Sequence, residues 1–222
     1  DLIGGDTSAS LTGLCISITC LGAAREEDIV YRSGAKPTDL ICVSGNLGAA
    51  YMGLQLLERE KRVFAGEQGD FEPDFAEHEY ILERQLRPEA RQDIIRALQE
   101  MGLRPTAMID SSDGLASELL HLAKESEVGV RIYEERLPID LETHRMAEEL
   151  NMSTTTVAMN GGEDFELIFT VPLAELDRLK ELDGIHIIGH ITAPGQGCYL
   201  VTPDGAELQL RAQGWPDTEA ER

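Results

Sequence analysis

The sequence predicts an α/β protein, best described as an α+β arrangement in which helices pack on a mixed sheet. Short apolar runs alternate in the manner of strands, as in Phe165, Leu167, Phe169 and Val171 set against Glu166, Ile168 and Thr170. Between such runs, apolar residues recur at helical spacing, as in Leu115, Leu119 and Leu122. The connections include both helical crossovers and a tight turn, so the sheet is expected to mix parallel and antiparallel pairs.

The elements follow in order. Leu11 to Gly22 reads as a strand, with Leu14, Ile16, Ile18 and Cys20 on one face and Cys15, Ser17, Thr19 and Leu21 on the other. A polar stretch leads into RSGAKPTD, residues 32–39, whose Gly, Pro and Asp mark a boundary. Asp39 to Ser44 is a short buried strand that passes through SGNLG into a helix from about Ala49 to Arg62. Ala65 to Pro88 is polar and charge-mixed, expected as loop and short helix, and Glu89 to Met101 is an amphipathic helix through Ile94, Ile95 and Leu98. Thr106 to Ile109 is strand-sized and is followed by DSSDG and a helix. Val128 to Tyr133 is a strand, and Leu141 to Leu150 a helix. Phe165 to Val171 opens after Gly161 and Gly162, with a helix around Leu173 to Leu182 and a strand over Ile185 to Ile191 beyond it. A hairpin turns at Pro203-Asp204-Gly205, where Pro presets φ and Gly accepts a positive one.

Composition narrows the function classes. The 222 residues hold 19 basic and 41 acidic side chains, a formal charge of −22. So acidic a surface repels phosphate backbones and anionic lipid, which argues against nucleic-acid or membrane partners. A protein of this charge that handles phosphates needs divalent cations as intermediaries. No apolar stretch is long enough to cross a bilayer. Cys15, Cys20, Cys42 and Cys198 form no CxxC pair and are expected as small core residues in a reduced compartment, which predicts a cytoplasmic protein.

Four motifs could carry chemistry. DSSDGL, residues 110–115, sets Asp110, Ser112 and Asp113 at a helix N-terminus, where hard cations find oxygen ligands and phosphates find amide donors. An ordinary N-cap followed by an Asp-Gly turn explains the same residues. GGDT, residues 4–7, offers Gly5 for close backbone approach and Asp6 as a metal ligand, or else a plain turn. Arg32 could pair with a phosphate or stand solvated in a linker. In GGEDFEL, residues 161–167, the Glu163–Asp164 pair suits a cationic group, unless both acids merely face water. SGNLG lacks the Lys-Ser/Thr ending of a P-loop and reads as a packing turn. His186 and His190 share a strand face and have no third ligand, so they read as structural.

Taken in order, GGDT, RSGAKPTDLICVSGNLG, AMIDSSDGLASEL, GGEDFELIFTV and a closing IGHI strand resemble the thiamine-monophosphate kinase family. That family sits in the superfamily typified by aminoimidazole ribonucleotide synthetase, with selenophosphate synthetase and a hydrogenase maturation factor. The resemblance implies the aminoimidazole ribonucleotide synthetase-like fold, with residues 1–34 as the tail of an N-terminal ATP-binding domain and 35–222 as the C-terminal domain. It implies that a longer chain precedes Asp1. The implied reaction transfers the γ-phosphoryl of ATP onto thiamine monophosphate, giving thiamine diphosphate, with several Mg²⁺ ions and a homodimeric enzyme.

Carried over residue by residue, Asp6, Asp110 and Asp113 would bind Mg²⁺. Gly5, Asp6, Arg32 and Ser112 would meet ATP, and Glu163, Asp164 and Trp215 the thiamine end. The sequence departs from the family where Ser8-Ala9-Ser10 replaces Thr-Arg-Gly, Ser111 replaces Ile, and Phe165 replaces Tyr. The alternatives are another ATP-dependent enzyme of the superfamily, or a non-catalytic fragment that never meets ATP.

Overall fold

The computed structural model describes residues 3–7, 11, 13–66 and 75–212. Strand β1 (Leu40–Ser44) is buried along its whole length, as its unbroken LICVS run requires of a strand covered on both faces. It lies inside a seven-stranded sheet with β2 (Ala107–Asp110), β3 (Gly129–Tyr133), β4 (Leu167–Val171), β5 (Ile185–Thr192), β6 (Cys198–Val201) and β7 (Glu207–Gln209). The order is β2-β4-β1-β5-β3-β6-β7. Every pairing is antiparallel except β3 with β6, so the sheet is mixed as expected.

Alternation along the strands sends side chains to two helical layers. Ile41, Val43, Ile109 and Ile168 pack with Leu115, Leu119 and Leu122 of α4 (Leu115–Ser126) and Ala158 and Met159 of α6 (Thr154–Asn160). On the other face Leu40, Cys42, Phe169 and Val171 meet Ile94 and Leu98 of α3 (Gln92–Glu100) and Leu179 of α7 (Leu176–Leu179). A third cluster joins α1 (Ala49–Gly66), α2 (Glu79–Leu86) and α5 (Leu141–Glu149) through Met52, Leu56, Ile81 and Met146. There α1 meets α2 backbone to backbone at Gly53, where a Cβ would stand 2.1 Å from the Ile81 carbonyl oxygen. Each fully buried Ile or Leu contributes about 2 kcal/mol of transfer free energy.

Several expectations are corrected. Among the described residues of 11–22 there is no strand, and Leu14, Ile16, Ile18 and Leu21 are each at least 73% exposed. Alternation supplies a face to bury, but a strand also needs a neighbour to complete its ladder. Cys15 and Cys20, on the same stretch, are exposed rather than in the core. Cys42 is buried, and loss of solvent pushes its thiol up to about 12. Helix α6 has no counterpart in the sequence reading, because TTTVAMN is rich in β-branched residues of weak helix propensity. It forms where the Ser153 hydroxyl caps the Thr156 amide and Val157, Ala158 and Met159 are buried.

His186 and His190 do not share a face. His186 pairs with Val43 and His190 with Leu40, across a register shift that puts an odd number of residues between opposite faces. Burial lowers both imidazoles. The hairpin between β6 and β7 forms at the expected turn, with Gly205 at φ 83°.

Candidate functional site

Because β4 runs antiparallel to both β1 and β2, its N-terminal end lies beside their C-terminal ends. This topology gathers three motifs that are far apart in sequence: SGNLG after β1, DSSDG after β2, and GGEDFE before β4. Main-chain bonds lock them together. The Ser111 amide donates to the Glu166 carbonyl at 2.7 Å, the Phe165 amide to the Ser111 carbonyl at 2.9 Å, and the Glu163 amide to the Ser112 carbonyl at 2.8 Å. The Leu167 amide donates to the Ser44 hydroxyl at 2.8 Å.

The residues between Gly161 and Leu167 adopt an unusual path. Gly162, Glu163 and Phe165 have φ of 70°, 62° and 51°, the left-handed region that non-glycine residues rarely enter. Phe165 therefore does not open the strand as its place in the alternation suggests, and β4 begins at Leu167. The same path separates the two adjacent acids. Glu163 is exposed, whereas Asp164 is only 2% exposed and turns inward.

The Asp164 carboxylate accepts the Gly48 amide at 2.6 Å and the Ala50 amide at 3.2 Å, and so caps the start of α1 from a distant part of the chain. Burial pushes its carboxyl up to about 6, against the opposing pull of the two amides and the Arg84 charge. An Asp164 facing a substrate cation alongside Glu163 is not the arrangement seen. Capping α1 occupies it.

Beneath this turn sits a buried ionic group that the sequence reading missed. Glu166 is 1% exposed and is held by Arg84 Nη2 at 2.8 Å, by Arg91 Nη1, and by the Ser44 hydroxyl at 2.5 Å. Arg84 Nη2 also donates to the Asp164 carbonyl at 2.8 Å. Arg91 in turn pairs with Asp93, which together with Glu166 raises the Arg91 guanidinium. Gly45, at φ 56°, leaves the room this group needs: a Cβ there would stand 2.3 Å from Glu166 Oε1. The available signal was Glu166 itself, a carboxylate on the Ile168 side of the apolar run that leads into β4, where burial requires a cation.

The solvent side of the junction is acidic. Asp110 and Asp113 are exposed, and among the described residues neither has an ion-pair partner. Buried Glu118 accepts the Asp113 amide at 3.0 Å and the Ser112 hydroxyl at 3.2 Å, drawing the turn onto the first turn of α4. Among the described residues no group of three or more His, Cys, Asp or Glu side chains is placed to hold a metal. Two hard carboxylates at a helix N-terminus still fit Mg²⁺, which keeps several waters and takes its remaining ligands from substrate phosphates.

Arg32 and Asp110 line the same shallow recess of about 450 Å³, together with Tyr31, Ser33 and Glu125. Gly5 and Asp6 are exposed; no atom lies within 4 Å of a Cβ built on Gly5, and Asp6 accepts the neighbouring Thr7 amide. The structure does not bring them to the Asp110–Asp113 turn as one metal-holding group. Trp215 and Ser8 to Ser10 lie outside the described residues. Another recess, about 730 Å³, is lined by residues that include Val30, Leu98, Leu103, Met108, Arg25, Asp28 and Arg104, and by none of the candidate site residues.

Known proteins resemble this chain along most of its length. It is 33% identical over 220 residues to the thiamine-monophosphate kinase of Bacillus subtilis, covering 97% of this chain and 63% of that protein. Over 219 residues it is 37% identical to the thiamine-monophosphate kinase of Escherichia coli K12, covering 98% and 60%. The chain thus spans about three-fifths of the length of these relatives. A solved structure described as AaThiL complexed with AMPPCP and TMP matches with a TM-score of 0.65 at 32% identity, over 82% of this chain and 53% of that one. The family model for the AIR synthase related protein C-terminal domain matches residues 36–200. With that model covering most of the chain and its sheet, the protein belongs to the AIR synthase related family, whose C-terminal domain it carries.

Proposed function

We propose that this chain is the C-terminal part of a thiamine-phosphate kinase, which moves the γ-phosphoryl of ATP onto the phosphate of thiamine monophosphate. The observation that carries the reading is the meeting of DSSDG and GGEDFE at one sheet end, in a chain 33–37% identical to thiamine-monophosphate kinases. A bond forms between an acceptor phosphate oxygen and the γ-phosphorus, the bond to the β,γ-bridging oxygen breaks, and ADP leaves. The acceptor phosphate is already a nucleophile, so no side chain need take a proton from it.

The chain's own residues would bind and orient. Asp110 and Asp113 would hold Mg²⁺, which when bound neutralises the facing phosphates. Ser112 and the amides opening α4 would meet nucleotide phosphate, and Arg32 would pair with one across the recess it shares with Asp110. Glu163, lifted into solvent by the left-handed turn, would face the cationic thiazolium. Trp215 stacking on the substrate, and nucleotide and metal contacts of Gly5 and Asp6, belong to the same reading. So do a homodimeric, cytoplasmic enzyme and the use of more than one Mg²⁺.

The test is a coupled assay of the full-length protein with ATP, Mg²⁺ and thiamine monophosphate, with Asp113→Asn alongside. Thiamine diphosphate should form, and the variant should lose about a hundredfold or more in kcat/KM while melting within about 1 °C of the parent. A folded full-length protein that makes no thiamine diphosphate overturns the reading.

A further inference from the structure

The turn that lifts Glu163 outward is held from three sides. Its amides at Glu163 and Phe165 donate to the DSSDG segment, and the Asp164 side chain binds the start of α1. The third hold is Arg84, whose Nη2 donates to the Asp164 carbonyl inside the turn at 2.8 Å while pairing with buried Glu166 immediately after it. Arg84 is the arm of an element otherwise outside the site, α2, and its side chain is 16% exposed. Arg91 shares Glu166 but bonds Asp93 rather than the turn. The two arginines therefore divide into one that grips the turn and one that only neutralises the carboxylate beneath it.

We propose that Arg84 is a positioning residue for the substrate end of the site, fixing the left-handed turn at residues 162–165 and with it the outward direction of Glu163. This deepens the kinase reading and rests on it for the identity of the substrate. The physical reason is that a buried carbonyl and a buried carboxylate share one planar, fixed-geometry donor, so the turn cannot relax to an ordinary extended path without leaving one of them unpaired. Both bonds come from Nη2 of a rigid guanidinium; lysine keeps the charge but carries its ammonium on a shorter, more mobile stem that does not hold the two acceptors in that geometry.

The experiment compares Arg84→Lys, Arg84→Gln and Arg91→Gln in the full-length protein. For both Arg84 variants, KM for thiamine monophosphate should rise about tenfold while KM for ATP changes less than about twofold. Amide hydrogen exchange at Glu163 and Phe165 should speed up, with the β1 and β5 amides unchanged. Arg91→Gln should lower the melting temperature without separating the two KM values. If all three variants lower stability alike and shift both KM values together, Arg84 is merely structural and the proposal falls. It also falls if exchange at Glu163 and Phe165 is unchanged in Arg84→Lys. The exchange measurement needs no turnover, so a parent that fails to make thiamine diphosphate defeats the kinase reading without deciding the role of Arg84 in the turn.

Discussion

Residues 40–44 and residues 14–18 both read as strands, yet Ile41 and Val43 are fully buried while Ile16 and Ile18 are 73% and 80% exposed. Residues 40–44 form an unbroken run, LICVS, and residues 14–18 alternate Leu14, Ile16 and Ile18 with Cys15 and Ser17. The difference lies in their neighbours. β1 is paired on both edges, by β4 and β5, and covered on both faces by helices. The earlier stretch has no ladder among the described residues. An apolar strand-like pattern therefore reports a capacity to be buried, and only a partner turns it into structure.

Three measurements would sharpen or break this comparison. The largest effect is expected at Ile41→Ala, which opens a cavity between the sheet and α4 and should cost about 3–4 kcal/mol in denaturant unfolding. A loss below about 1 kcal/mol would mean that the centre of the sheet is loosely packed, and the contrast with the N-terminal stretch would fail.

Next comes the pH dependence of Asp164, which couples the site to the fold. Its carboxyl lies at about 6 in the folded protein against 3.8 for the ordinary group. The folded state thus holds the proton more tightly than the unfolded chain does. The stability this adds is fully present below about 3.8 and is lost as pH rises through about 6. At about 1.4 kcal/mol per pH unit the gap is worth on the order of 3 kcal/mol. Asp164→Asn cannot titrate there, and its amide faces the Gly48 and Ala50 donors with only one acceptor atom. Melting both proteins across pH 4 to 7 should show the variant's deficit largest at pH 4 and shrinking toward pH 7. A constant deficit would show that the capping carboxylate does not carry this slope.

The smallest effect should come from Ile16→Lys, which touches no buried surface and is expected to leave the unfolding free energy of this chain within about 0.5 kcal/mol. A loss of several kcal/mol would show that the stretch is buried in solution, and the two regions would then be alike.

The candidate site was partly legible for similar reasons. Asp110, Ser112 and Asp113 stand out because they occupy adjacent positions before an apolar helical run, a local pattern with a local cause. Glu163 stands out beside a glycine pair. The group beneath them does not, since Glu166, Arg84, Arg91 and Ser44 come from the residue preceding β4, from α2, from the residue preceding α3 and from β1. Nothing in the spacing of these four announces that they meet. Helix α6 was hidden because its stability comes from a cap and from burial rather than from propensity.

Local pattern was enough for the mixed α+β class, most of the strands and helices from β1 onward, the hairpin at Pro203 to Gly205, and the acidic turn of Asp110 and Asp113. These depend on periodicity, turn chemistry and charge, which act over a few residues. Long-range packing fixed that Asp164 would cap α1, that Glu166 would be clamped by two arginines, and that His186 and His190 would part across a bulge. It also decided which of the two strand-like stretches became a strand. Those outcomes depend on which distant groups are available to satisfy a buried charge or an open hydrogen-bonding edge, and that is settled only when the chain closes on itself.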